Sequence, residues 1–250
     1  FDVSCVQLAP MKSFPYLTEA SSQMTAGFAQ TVRDAFARQQ IQIAVLGCYI
    51  NPIHPDKDEK ELSLRRFERH LEYARDFGCA LVGTETGSRN ADCSFHPNNR
   101  QQDAYDELVE SVYRLSKVAE LNGVDIGIEP VAHHHIINTR EKMLQLLEQV
   151  NSPRVKIIYD PVNLFPLEQA DKQIELMEQD LDAFAPHLAA VHIKDFVIEQ
   201  GIKTGDLALG EGVFAFEYFI QWLSEHKPYI HSIFEATNPN NVEQILTMVR

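Results

Sequence analysis

Nowhere does the sequence stay apolar for the roughly 20 residues that a membrane-spanning helix needs, and no charged-then-apolar leader opens it. Both absences predict a cytoplasmic chain that does not enter the bilayer. Basic residues are scarce: 22 Lys and Arg stand against 36 Asp and Glu, a formal charge of -14 over 250 residues. A surface of that sign repels phosphate backbones, so nucleic acid is not an expected partner. Only four cysteines occur, Cys5, Cys48, Cys79 and Cys93, and none forms the C-x-x-C pair of a zinc or redox motif. They read as reduced and structural. There is no Pro/Ser-rich linker and no midway change of composition, which predicts a single domain over residues 1–250. No Gly-rich phosphate loop follows an early strand, which tells against an open dinucleotide-binding sheet.

What is present is one alternation, repeated. Short apolar or β-branched runs occur at 2–8, 41–50, 80–86, 124–131, 155–160, 188–195 and 229–236. Most are hydrophobic almost throughout, as strands of a parallel sheet covered on both faces must be. Helical patterns lie between them. In 61–78 the residues Leu64, Phe67, Leu71 and Ala74 recur at spacings of three and four, with Gly78 as a C-cap. In 103–123 Leu108, Val112, Leu115 and Ala119 repeat the pattern before Gly123. "NTREKMLQLLEQV", "DKQIELMEQDLDAFA" and "FAFEYFIQWLSEH" complete the set.

Strand followed by helix without interruption means right-handed βαβ units in a row. The expected fold is α/β, a (β/α)8 TIM barrel. Seven strands are counted, and Phe1 already lies inside an apolar stretch, so the first βα unit is expected to be missing from the given chain.

In such a barrel the working face is the C-terminal end of the strands. Alternation of side chains along a strand puts Gly127 with Glu129, Ile158 with Asp160, Ala190 with His192 and Lys194, and Ile233 with Glu235. Glu129, Asp160, His192 and Glu235 are therefore expected to converge on one mouth. Three carboxylates crowded in a pocket of low dielectric repel one another unless a cation sits among them. The expected cofactor is one divalent metal ion, Mn, Mg, Co or Zn, since oxygen ligands with one imidazole suit all four.

The motifs "GIEP", "YDPVN", "VHIKD" and "IFEAT", in that order at successive strand ends, resemble the xylose isomerase-like barrel superfamily, and within it the sugar or sugar-phosphate isomerases and epimerases. The resemblance implies that Glu129, Asp160, His192 and Glu235 bind one divalent ion, and that Glu129 and Glu235 also act as catalytic acid and base on opposite faces of a carbohydrate substrate. The metal would acidify a carbon-bound proton beside a ketone, and a glutamate would move that proton through an enediolate. The same resemblance suggests a substrate contact at His135, six residues past Glu129, and places Asn163 where relatives commonly carry a histidine.

Lys194 faces the same mouth and could hold a hydroxyl, a carboxylate or a phosphate, or pair with a nearby acid. Glu85 and Tyr49 sit at earlier strand ends and are candidate substrate contacts. Of the triplet His133, His134 and His135, successive loop residues point apart, so solvated side chains are expected, with His135 the exception. The segment 204–214 reads as a lid or rim loop, and Trp222 as packed against the barrel. Alternatives are a keto-inositol dehydratase, a non-catalytic sugar-binding barrel, and an apurinic-site endonuclease of the same superfamily. A homo-oligomer is compatible with all of these.

Overall fold

The computed structural model describes residues 3–14 and 24–249; Phe1 and Asp2, where the first expected strand begins, and Arg250 lie outside the described residues. Among the described residues nine strands are present: β1 (Cys5–Leu8), β2 (Gln42–Gly47), β3 (Leu81–Glu85), β4 (Asp125–Glu129), β5 (Val155–Tyr159), β6 (Leu188–Ile193), β7 (Asp195–Glu199), β8 (Ile202–Leu207) and β9 (His231–Phe234). The helices are α1 (Pro10–Ser13), α2 (Ala26–Ala37), α3 (Lys57–Tyr73), α4 (Gln102–Asn122), α5 (Arg140–Val150), α6 (Pro161–Leu164), α7 (Gln173–Phe184), α8 (Phe216–His226) and α9 (Val242–Met248).

Seven strands form one parallel sheet in the order β1-β2-β3-β4-β5-β6-β9. Its end strands β1 and β9 approach one another, so the sheet is a nearly closed barrel, an incomplete (β/α)8 TIM barrel. All seven are strands expected from the sequence. The pair β7 and β8 is an antiparallel hairpin outside that sheet; the sequence reading left 196–203 unassigned and took 204–214 as a rim loop, so these two strands correct it.

The helices pack by the faces that their periodicity foretells. Leu64, Phe67 and Leu71 of α3, Ala74 just beyond it, and Leu108, Val112, Leu115 and Ala119 of α4 are all buried in the main core. Each fully buried Leu or Phe contributes about 1.5–3 kcal/mol relative to an exposed one. Caps set where the helices begin: Asp56 accepts from Asp58 N and Glu59 N, and Thr139 accepts from Lys142 N. Gly123 closes α4 at φ 65, as expected. Gly78 is not the C-cap of α3, which ends at Tyr73 with Ala74 as its cap; at φ 72 it closes the turn that follows, its N–H donating to Arg75 O. Helix α2, opened by Thr25, was not among the periodic stretches read from the sequence.

Inside the barrel lies a second, smaller cluster of Ala44, Val45, Leu81, Ile158, Ala190 and Ile233. Ile158 fills space that other residues must vacate. A Cβ on Gly127 would sit 2.6 Å from Ile158 Cδ1, and one on Gly83 would sit 2.8 Å away, so both strands carry glycine there. This interior floor fixes the parity of the strands, and the polar residues two positions on emerge above it at the mouth.

Candidate active site and metal centre

Ile158, Ala190 and Ile233 lie in the barrel interior, so Asp160, His192 and Glu235, each two residues further along, rise on the same side. Glu129 ends β4 and His192 precedes the last residue of β6. Asp160 follows β5 and caps α6 by accepting from Asn163 N at 3.0 Å. Glu129, Asp160 and His192 are buried, and each offers a ligand atom within 4.8 Å of the others, an arrangement that could hold a metal ion. Glu235 stands on the open side. Its Oε1 lies 3.3 Å from His192 Nδ1, and Glu129 Oε2 lies 3.2 Å from the same nitrogen.

Lys194 threads between the acids. Its Nζ lies 2.9 Å from Glu235 Oε2, 3.2 Å from Asp160 Oδ2 and 3.6 Å from Asp206 Oδ1. The lysine is thus a buried counter-charge, not a surface ion pair. Even so, Asp160 Oδ2 and His192 Nδ1 make no hydrogen bond although both are buried. Each has only an ion-pair contact in place of a well-formed hydrogen bond, Asp160 Oδ2 with Lys194 and His192 Nδ1 with Glu129 and Glu235. A divalent cation satisfies both. Carboxylate oxygens with one imidazole nitrogen fit a hard or borderline divalent metal, so the residues present suit the cofactor expected from the sequence.

The electrostatics record the crowding. Burial, with Glu129 and Glu235 adding to it, pushes the Asp160 carboxyl up to about 6 despite the opposing ammonium of Lys194. Burial disfavours the His192 imidazolium, but Glu129, then Glu235 and Asp160, outweigh it and raise the ring to about 9. Glu129 is pressed upward by burial, yet His192 and the amide of Asn163 hold it below the usual carboxylate range. Asn163 does this through Nδ2, which donates to Glu129 Oε1 at 2.7 Å.

The remaining candidates line two adjoining cavities of about 540 and 630 Å³ above this centre. Tyr49, Glu85, Asn163 and Lys194 border the inner one, and His135 borders the outer. Glu85 pairs in register with Glu129 across β3 and β4, and burial followed by that neighbouring charge raises it to about 7. His135 is buried, with Nε2 at 3.5 Å from Glu85 Oε2, and burial lowers it to about 4. His133 and His134 are exposed. The triplet divides as its loop position foretold.

The hairpin of β7 and β8 forms part of the rim, bringing Asp206 toward Lys194. Its base is tied by Asp195, which accepts from Phe196 N, Phe214 N and Gly210 N at 2.8, 2.9 and 3.0 Å. Lys203 fastens it to α6 by donating to Val162 O and, at 2.8 Å, to Phe165 O. Trp222 packs against the core and stacks on His226, with ring centroids 4.6 Å apart. All four cysteines are free thiols, and Cys93 borders both cavities.

Three residues of the mouth were missed in the sequence. Gln7 of β1 accepts from His192 Nε2 at 2.9 Å and donates to Tyr49 Oη at 2.5 Å. Lys12 lies 4.5 Å above the Tyr49 ring, and Asp206 faces Lys194. Gln7 was detectable, because it shares the inward parity of Cys5, which packs on the barrel-interior cluster.

Fold and site together define a parallel barrel with a buried carboxylate–histidine group at its C-terminal mouth. The chain belongs to the xylose isomerase-like TIM barrel family, whose model matches residues 2–249. No curated protein sequence matches it. Among solved structures it is similar to a xylose isomerase domain protein from Planctomyces limnophilus, with 21% identity, 90% of this chain and 83% of that one covered, and a TM-score of 0.69. The apo 3-keto-D-glucoside 4-epimerase YcjR from E. coli matches at 18% identity, over 100% of this chain and 99% of that one, with a TM-score of 0.71. The IolI protein with a bound zinc atom matches at 15% identity, over 98% and 86%, with a TM-score of 0.72. No described helix is long and apolar enough to cross a membrane.

Proposed function

We propose that the protein is a divalent-metal-dependent isomerase or epimerase of a sugar or sugar phosphate, working by proton transfer through an enediolate. One observation carries this reading: Asp160 Oδ2 and His192 Nδ1 are buried without a hydrogen bond and share their space with Glu129 and Glu235. Glu129, Asp160, His192 and Glu235 would hold the metal. When bound, the ion supplies Lewis acidity to a ketone and its neighbouring hydroxyl, so that the carbon-bound proton between them becomes removable.

The chain's own groups do the rest. Glu129 at the end of β4 and Glu235 just past β9 both approach His192 Nδ1, and in this reading they would act as acid and base on a substrate carbon held above it. One carboxylate removes the proton and the other, or the same one, returns it. Return to the neighbouring carbon isomerises, and return to the other face of the same carbon epimerises. Asn163 keeps Glu129 oriented and ionised for this role. Lys194, Glu85, His135 and Tyr49 line the cavities where hydroxyl groups of the substrate would lie. The solved relatives named for an epimerase and for bound zinc support the reading.

The test is to load the chain with Mn²⁺ and incubate it with a panel of ketoses and their phosphates in deuterated water. At least one substrate carbon acquires deuterium, and Glu235→Gln removes the exchange while the metal stays bound. Product analysis separates epimers and isomers from the dehydrated product of a keto-inositol. A metal-loaded chain that exchanges no carbon-bound proton on the whole panel contradicts the proposal.

A further inference from the structure

A third cavity, of about 560 Å³, lies between the loop that follows Glu129, the start of α5 and helix α7, and it shares no lining residue with the two cavities of the mouth. Its volume is that of a small-molecule site, for which about 300–1,000 Å³ is usual. Ala132, Leu164, Phe165, Pro166 and Leu176 supply apolar lining. Arg100, Arg140 and Lys142 bring positive charge to it, and Glu141 and Asp180 negative charge.

Both acids are taken up by one cation. Arg140 Nη1 donates to Asp180 Oδ1 at 3.0 Å, and its Nη2 lies 3.1 Å from Glu141 Oε1. Tyr159 Oη donates to Asp180 Oδ2 at 3.0 Å, so both oxygens of this buried carboxylate are engaged. His133, also on the lining, faces Glu168 at 3.8 Å. Arg100 and Lys142 are left over. Neither forms an ion pair among the described residues, and Lys142 Nζ donates only to the carbonyl of Ile136, at 3.2 Å. The two cations feel one another: burial, and after it the charge of Arg100, hold Lys142 below the usual ammonium range. In a chain of net charge -14, acids to neutralise them are plentiful, yet these neighbours meet a ligand-sized space instead. Such a pair suits an anion lying between them.

We propose that this cavity is a second ligand site, for a small organic anion whose carboxylate or phosphate is held by Arg100 and Lys142 and whose apolar body packs on Leu164, Pro166 and Leu176. Arg100 comes from the loop between β3 and α4, and Lys142 from the first turn of α5. The bound anion removes their repulsion and ties these two segments together. Inorganic phosphate is the poorer occupant, because it leaves the apolar lining in contact with water. The site stands apart from the metal centre and does not depend on the proton-transfer reading.

The experiment titrates phenyl phosphate, benzoate and inorganic phosphate into the Mg²⁺-loaded chain by calorimetry. The expected result is a site that Glu235→Gln leaves unaltered and whose affinity for the better organic anion falls about tenfold in Arg100→Ala and in Lys142→Ala, while Lys142→Arg retains it. Inorganic phosphate binds at least about fivefold more weakly than phenyl phosphate, and Leu176→Asn narrows that gap. The thermal midpoint rises with the organic anion in wild type and stays unchanged in Arg100→Ala. Whichever of phenyl phosphate and benzoate binds more tightly identifies the acidic group. Absence of binding by both at up to about 10 mM overturns the proposal, as does binding that survives both alanine variants or disappears in Glu235→Gln. Equal affinity for inorganic and phenyl phosphate overturns it too, since the apolar lining then contributes nothing.

Discussion

Gln7 Oε1 lies 2.9 Å from Nε2 of His192 and joins the first strand of the barrel to the sixth across its mouth. Because Gln7 donates its amide hydrogen to Tyr49 Oη at 2.5 Å, its oxygen is the group turned toward the ring. An oxygen only accepts, so His192 carries hydrogen on Nε2. Its Nδ1 is thereby directed at Glu129 and Glu235, which is the orientation a metal-ligating imidazole needs.

Removing that support loosens the ligand without touching the metal. Gln7→Leu is expected to weaken binding of Mn²⁺ or Zn²⁺ by about 10–100-fold, measured by isothermal titration calorimetry. Gln7→Glu, which keeps an acceptor, retains most of the affinity. An unchanged dissociation constant in Gln7→Leu refutes the positioning role.

Metal binding must also displace a proton. The neighbouring carboxylates hold His192 at about 9, against the effect of its burial, so the ring of the metal-free chain is charged at neutral pH. The ion competes with that proton, and affinity rises with pH, about tenfold per unit, until the ring is neutral above about 9. Titrations in buffers of different ionisation enthalpy should show about one proton released per ion at pH 7.5. Asp160→Asn should abolish the stoichiometric binding. Binding that releases no proton at this pH rules out His192 as a ligand.

A second histidine, on the helix after β2, is expected to make stability sensitive to acid. His70 is wholly buried on α3; its Nδ1 donates to Arg66 O at 2.8 Å and its Nε2 has no hydrogen bond. Burial is the main reason that its pKa falls from 6.5 to about 4. Between those values the unfolded chain binds a proton that the folded chain refuses. The contribution is fully present above pH 6.5 and is lost as the pH falls toward 4, at up to about 1.4 kcal/mol per unit. Urea midpoints at pH 7 and pH 5 test this: His70→Leu should narrow the difference between them, and an undiminished difference assigns the acid sensitivity elsewhere.

The barrel strands were legible because a parallel sheet with both faces covered must be written in continuous apolar runs. The site was legible because alternation along a strand carries the parity of Ile158, Ala190 and Ile233 forward to Asp160, His192 and Glu235. What escaped detection had weaker chemistry or competing patterns. Gln7 obeys the same parity, but an uncharged amide gives no hint of acid–base or metal work. The hairpin was hidden because β7 begins two residues after β6, so the run read as one strand over 188–195 stops on the first residue of β7. Its turn, Gln200 and Gly201 at φ 52 and 77, is the paired left-handed turn that a tight hairpin uses, and "QG" was the signal. Helix α2 carried its own mark in Thr25, whose side chain caps it. Lys194 escaped as a buried group because a lysine at a strand end resembles a solvated one until its three acidic neighbours are placed around it.

The anchoring of Lys203 gives the barrel mouth a mechanical linkage. Its ammonium grips the carbonyls of Val162 and Phe165, on either side of the residues that lead back to Asn163, while Asn163 grips Glu129. A displacement of the hairpin would therefore pull on the backbone that carries Asn163 and, through its amide, on Glu129, so that the rim and a buried carboxylate are yoked together.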